Sequence, residues 1–566
     1  MNRPLPVFVA VALVAVASAQ ATPPPRPPFR VFEASIAEMR AAMESGRTTS
    51  REIVEQSLLR IARYEDRLNA VIVVNPRAIE EAEARDRERA AGKVRGPLHG
   101  IPIALKDNIQ TTDMPTTGGA LAFDGLVPPY EATLVKHLRD AGAVIIAKTA
   151  MTELANWIAS GMPTNYNALT GFAFNPYDPR RDPRDATADG RPALATGGSS
   201  SGGGTAASFW AANVGTETSG SILSPANQSA LAGIKPTVGR ISRHGIIPIT
   251  ADQDTAGPMA RSVADAATLL GVLEGPAPDP DDPATTLCPR PPDGDYTRFL
   301  DAGSLKGARI GVPRAFFYDK ATPPGTTEPR GGLDPDRAAR MTEAIALLRA
   351  QGATIVDPAD IPSVVSLDAA TNLLLWNTCG GLERAKGLDA DCSIVFKYGM
   401  KRDFNAWLAA LGAKAPVKSL TELRTWNVAH QKMGALRYGQ AQLDISDEMD
   451  LERDRARYDA DRAKDLRLSR AEGLDAVFRQ HRLDAVLFPG ASGAAIAAKA
   501  GYPTVIVPFG LVPNAPTPPF PEGFAAQPSP FGVSFTGPAC SEPRLIALAY
   551  AFEQAGKRRV PPPATP

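Results

Sequence analysis

Cysteine and histidine are scarce in this 566-residue sequence, with four of the first and five of the second. Four cysteines are too few for a disulfide-built scaffold, and Cys288, Cys379, Cys392 and Cys540 include no Cys-x-x-Cys pair of the kind structural zinc uses. His99, His137, His244, His430 and His481 lie far apart, so no helical His pair is present to hold a catalytic ion. Neither a metal nor a cofactor is expected. Net charge is missing too: 61 Lys and Arg balance 61 Asp and Glu, which leaves no basic excess for nucleic acid or an anionic membrane. The apolar run at residues 7–17 falls well short of the roughly 20 residues that span a bilayer, and no later run reaches that length.

That run follows Arg3 and leads into Ala17-Ser18-Ala19, with small residues where a signal peptidase reads. The pattern predicts a secretory signal over residues 1–19 and a Pro-rich leader over 20–31. The mature chain is then expected to be periplasmic or secreted, without stable membrane insertion. In that setting Cys379 and Cys392 could close a short-loop disulfide. The 48 Gly and 53 Pro residues give many turns without reaching a disordered composition, and length alone allows two to four domains.

Short apolar runs at residues 101–105, 144–147, 308–312, 483–488 and 504–507 read as buried strands. Residues 337–351 and 543–554 read as helices. Residues 35–45 form a further helix stopped by Gly46, and Thr49 with Glu52 forms a capping-box pattern before another. Strands alternating with helices predict an α/β fold around a largely parallel or mixed sheet. Residues 178–192, 276–295 and 512–530, rich in Pro, Asp or Gly, read as surface loops. The charged run 447–470 reads as a solvated helix face without a catalytic role.

Two Gly/Ser turns stand out: Gly197-Gly198-Ser199-Ser200-Ser201-Gly202-Gly203-Gly204 and Gly215-Thr216-Glu217-Thr218-Ser219-Gly220-Ser221-Ile222. Glycines let backbone N–H groups approach a bound group closely, and serines offer a nucleophile or a proton relay. No Gly-Lys-Ser/Thr ends the first run, so it is not a phosphate loop. Residues 198–202 fit the G-x-S-x-G nucleophile elbow with Ser200 as nucleophile. That reading requires a preceding strand, which residues 189–196 do not suggest, and a downstream His, for which only His430 and His481 remain. A third element is the apolar run 101–105, which delivers Lys106 at its end.

Pro97-Leu98-His99-Gly100-Ile101-Pro102, Lys106-Asp107-Asn108 and the two Gly/Ser turns together resemble the amidase signature family. The resemblance continues through Gly233-Ile234-Lys235-Pro236-Thr237, residues 253–259, Ala500-Gly501-Tyr502-Pro503 and Phe535-Thr536-Gly537-Pro538. It implies one large amidase domain over residues 32–558, with a central mixed sheet flanked by helices on both faces and a Pro-rich tail at 559–566. It further implies a Ser-Ser-Lys triad: Ser221 as nucleophile, Ser199 as bridging serine on a cis peptide after Gly198, and Lys106 as base. Backbone N–H groups of Thr218, Ser219, Gly220 and Ser221 would form the oxyanion hole.

A lysine serves as a base only when neutral, and the apolar approach to Lys106 suits the desolvation this needs. The chain departs from the usual pattern in two ways. Ser199 and Ser221 are about two residues closer than is common, and Leu223 stands where an arginine often follows the turn. The expected activity is hydrolysis of a carboxamide, small or peptide, with C-terminal peptide amides as the suggested substrate. Two other readings share these motifs: one component of a glutamyl-tRNA amidotransferase, and a binding protein whose catalysis was lost with the shortened inter-serine segment.

Overall fold

The structure, a computed structural model, describes residue 1 and residues 28–566. The expected signal peptide and most of the Pro-rich leader lie outside the described residues. Eleven strands form one sheet: β1 (Val71–Val74), β2 (Pro102–Lys106), β3 (Val144–Thr149), β4 (Ala212–Glu217), β5 (Ala232–Lys235), β6 (Thr255–Ala260), β7 (Arg309–Gly311), β8 (Thr354–Val356), β9 (Ala485–Pro489), β10 (Thr504–Val512) and β11 (Ser529–Thr536). Their spatial order is β1-β3-β2-β4-β6-β5-β10-β11-β9-β7-β8. The pairs β3–β2, β2–β4, β9–β7 and β7–β8 are parallel and the others antiparallel.

Successive residues of a strand face opposite sides, so a sheet covered on both faces reads as a continuous apolar run. In β2, Ile103 and Leu105 enter one core with Ile36 and Met39 of helix α1 (Ile36–Glu44), while Ala104 between them enters another with Val54 and Ile61 of α2 (Ser50–Leu68). On β10, Val505 and Val507 join the first core, and Ile506 meets Ile222, Leu223 and Ala226 at helix α3 (Leu223–Gln228). The expected mixed sheet with helices on both faces is the fold observed. Helix α2 starts at the predicted capping box of Thr49 with Glu52, and α1, expected as a helix, is capped by a second reciprocal box of Ser35 with Glu38. The predicted helices 337–351 and 543–554 are α4 (Pro335–Ala350) and α7 (Glu542–Gly556). Between them lie α5 (Val395–Ala410) and α6 (Arg455–Leu466).

Two expectations need correction. The charged run 447–470 is not wholly a solvated face. Tyr458, Asp461 and Asp465 of α6 are buried, with Asp465 accepting from Trp376 Nε1 at 2.9 Å and Ser393 Oγ at 2.7 Å and pairing with Lys499. The segment 512–530 begins and ends in the sheet, because Val512 pairs with Ser529. The loop 178–192 is pinned by the ion pairs Asp178–Arg180, Asp182–Arg184 and Asp189–Arg191, and Tyr438 Oη donates to Asp189 at 2.7 Å.

Cys379 pairs with Cys392, as the sequence suggested, and Cys288 pairs with Cys540 across 252 residues. The second bond staples the loop 276–295 to the segment entering α7. Replacing Cys288 and Cys540 together by alanine is expected to lower unfolding stability by about 2–5 kcal/mol, since a cross-link of that span restricts the unfolded chain strongly. Denaturant titration under oxidising conditions measures this, and an unchanged midpoint and slope would show that the bond constrains nothing.

Candidate active site

Lys106 ends β2 with its side chain fully buried in the sheet. Its ammonium lies 2.7 Å from Ser199 Oγ, 2.9 Å from Thr216 Oγ1 and 3.3 Å from the Thr216 carbonyl. Burial drives its pKa down to about 7, against the opposing pull of Asp254 and Glu217. Thr216 sits on β4 beside β2, where alternation turns Thr216 toward Lys106 and Glu217 the other way. Asn108 Nδ2 also donates to Thr216 Oγ1, at 3.0 Å.

Ser199 follows a cis Gly198–Ser199 peptide, as the resemblance implies. The loop is held on both sides: Thr152 N–H donates to the Ser199 carbonyl at 2.9 Å, and Asn165 Nδ2 donates to the Gly197 carbonyl at 2.5 Å. Gly197 has φ +66°, and a Cβ there would come within 2.6 Å of the Ser224 and Pro225 backbone. Only glycine fits. Ser200 is a structural residue: its hydroxyl donates to the Thr216 carbonyl at 3.0 Å and accepts from Thr216 N–H at 3.1 Å. No strand precedes it within residues 189–198, so the nucleophile-elbow reading is set aside.

Ser221 lies just before α3. The Glu217 carboxylate accepts from Ile222 N–H at 2.7 Å and Leu223 N–H at 3.0 Å, placing negative charge where a helix N-terminus favours it. The preceding turn is therefore fixed from behind. Thr218 is gripped twice, its hydroxyl donating to Asp254 at 2.5 Å and its carbonyl accepting from Gln253 Nε2 at 3.1 Å. Gly220 has φ +87°, and Ser219 beside it is exposed. The N–H groups of Ser219, Gly220 and Ser221 find no protein acceptor among the described residues, so they are available to an incoming oxygen.

Ser200 N–H donates to the Ser221 carbonyl at 3.1 Å, which ties the two Gly/Ser turns together despite their short separation in sequence. Only a four-residue helix, Gly203–Ala206, intervenes before β4. The structure thus brings Lys106 and Ser199 into contact and ties the Ser221 backbone to Ser200, the residue after Ser199. It shows no hydrogen bond between the two serine hydroxyls, a contact that in hydrolases often tightens only with substrate. Leu223 is fully buried with Ile222, Ala226, Met259 and Ile506.

Thr216, Asn108, Gln253 and Asp254 were not singled out by sequence reasoning, although all four belong to conspicuous motifs. Asp254 is half-buried, with its carboxyl turned inward, and desolvation pushes that carboxyl up to about 7 despite the bonds from Thr218 and Ile249. A cavity of about 310 Å³ reaches Asn108, Thr216 and Thr218 between walls that include Ile247, Ile249 and Trp407. It ends one side chain away from Lys106.

The family model described as Amidase matches residues 52–546. A probable amidase of Arabidopsis thaliana is 32% identical over 541 residues, covering 94% of this chain and 92% of its own. The native peptide amidase from Stenotrophomonas maltophilia has a structure similar to this one with a TM-score of 0.76 and 36% identity, covering 94% of this chain and 98% of its own. One component of the glutamyl-tRNA(Gln) amidotransferase of Chloroflexus aurantiacus is 38% identical over 328 residues, covering 57% of this chain and 60% of its own.

Proposed function

Because the chain belongs to the Amidase family and is an amide-hydrolysing enzyme, we propose that it is a secreted or periplasmic serine amidohydrolase that removes the amide from amidated peptide C-termini. Neutral Lys106 takes the Ser199 proton as Ser199 takes that of Ser221, and Ser221 Oγ attacks the carboxamide carbon. The N–H groups of Ser219, Gly220 and Ser221, with that of Thr218 at the mouth of the turn, receive the developing oxyanion. The relay then returns a proton to the departing nitrogen, ammonia leaves, and water hydrolyses the acyl-Ser221 ester by the same route.

The observation that carries this reading is the 2.7 Å contact between a fully buried Lys106 and Ser199. A lysine taken out of water and given a serine is set up as a base, not as a surface charge. This favours a working enzyme over an inactive binding protein. The peptide-amide substrate is supported by the 36% identity to peptide amidase over nearly the whole of both chains. Sequence similarity to the amidotransferase component of Chloroflexus aurantiacus spans little more than half of this chain, which weighs against that reading. Export is supported by the N-terminal signal pattern and by four cysteines joined in two disulfides.

Ammonia release from peptide amides, aryl acylamides and long-chain amides, compared on the mature protein, tests the substrate. Peptide amides are expected to give the highest kcat/KM by tenfold or more. A clear preference for either other class would reject the peptide assignment while leaving the chemistry in place.

A further inference from the structure

The segment 249–254 faces two ways. Its last two residues, Gln253 and Asp254, hold Thr218 by its carbonyl and its hydroxyl. In a trans peptide the C=O and the following N–H point in opposite directions, so fixing the Thr218 carbonyl also aims the Ser219 N–H. The residue just before, Asp252, is gripped from the other side by helices α5 and α6. Its carboxylate lies 3.1 Å from Arg402 and 3.5 Å from Arg462, and it accepts from Tyr458 Oη at 2.8 Å. Thr250 Oγ1 adds a bond at 2.9 Å from within the segment.

The grip extends along the backbone. Arg462 also donates to the Asp252 carbonyl, at 3.1 Å, and the Asp403 carboxylate, itself paired with Arg402, accepts from Ala251 N–H at 2.7 Å. Helix α5 packs so closely here that a Cβ on Gly399 would lie 2.2 Å from Thr250 Oγ1. The proposed chemistry uses none of these groups, yet they meet on the two residues that precede the clamp on Thr218.

We propose that Asp252 is a positioning residue, the latch through which α5 and α6 hold the oxyanion-binding turn in register with Ser221. The proposal rests on the reading of Ser219 to Ser221 as oxyanion donors. Removing the carboxylate leaves Arg402 and Arg462 facing one another without their shared counter-charge, so the segment shifts and Gln253 moves with it. Loss of an oxyanion donor outright typically costs 10²- to 10³-fold in rate, and misaiming one is expected to cost part of that.

The test compares Asp252→Ala with Arg457→Ala, which breaks the ion pair to Asp461 on α6 and the bond to the Asp389 carbonyl without touching the segment. Asp252→Ala is expected to lower kcat roughly 10- to 100-fold with KM changed less than about threefold. Arg457→Ala is expected to lower thermal stability while kcat stays within about twofold. Tyr458→Phe, which removes the hydroxyl that donates to the Asp252 carboxylate and accepts from Arg402, should lower kcat by roughly threefold to tenfold and keeps the proposal testable if Asp252→Ala does not fold. Unchanged kcat in folded Asp252→Ala and Tyr458→Phe, or an equal kcat loss in Arg457→Ala, would overturn the latch. A fully active Ser221→Ala protein would instead overturn the site reading beneath it, and the latch with it.

Discussion

Ser221→Ala is expected to reduce kcat on a peptide amide by roughly 10⁴-fold or more, the scale seen when a hydrolase loses its nucleophile. Three consecutive serines nearby make a substitute nucleophile conceivable, and the geometry weighs against the first two. Ser200 spends its hydroxyl on both backbone groups of Thr216. Ser199 is buried with its oxygen against Lys106, where it can pass a proton but is less accessible than Ser221. A fluorophosphonate reacts only with an activated serine, so the wild-type protein should label once per chain and the Ser221→Ala protein not at all. Full labelling of that variant, or activity above about a hundredth of wild type, would move the nucleophile elsewhere.

The same variant bears on how the turn works. Glu217 bonds the N–H groups after Ser221, and Gln253 with Asp254 holds Thr218 before it. The donors between are constrained at both ends and left without protein partners, so their orientation is set before a substrate arrives. Donors organised in advance stabilise a developing oxyanion without reorganising during the reaction. Ser221→Ala leaves these supports untouched, so its activity loss should come with little change in unfolding midpoint.

Much of this site was legible in the sequence. The end of an apolar strand and two Gly/Ser turns stand out locally, and the resemblance to the amidase signature family is what picks Lys106, Ser199 and Ser221 from them. Thr216 was readable in principle, since alternation along β4 puts it on the face opposite Glu217. The latch was not. Tyr458, Asp461 and Asp465 form one stripe of α6, and a charged stripe ordinarily faces water. Here it is buried because Asp252, the Ile394 N–H, Ser393, Trp376 and Lys499 come to meet it from distant parts of the chain. Helical spacing shows which residues share a face, not what that face will meet. The Cys288–Cys540 bond was hidden for the same reason, with 252 residues between its ends.

Replacing Lys106 by arginine is expected to abolish activity as completely as replacing it by alanine, by roughly 10³-fold or more. The reasoning turns on protonation. As a base Lys106 must be neutral, and burial lowers its pKa to about 7, so the working form predominates above neutrality and is lost below it. Wild-type kcat/KM should therefore rise with pH through about 7 and level off above. A guanidinium cannot be deprotonated in a protein. In the Lys106→Arg protein the new side chain would keep a positive charge and donors toward Ser199 and Thr216, yet supply no acceptor at any accessible pH. If the buried charge merely held Ser199 in place, Lys106→Arg would retain most of the activity and the wild-type profile would stay flat between about pH 6 and 8. Near-complete loss in Lys106→Arg together with an acidic limb in the wild type is the outcome a neutral lysine base predicts.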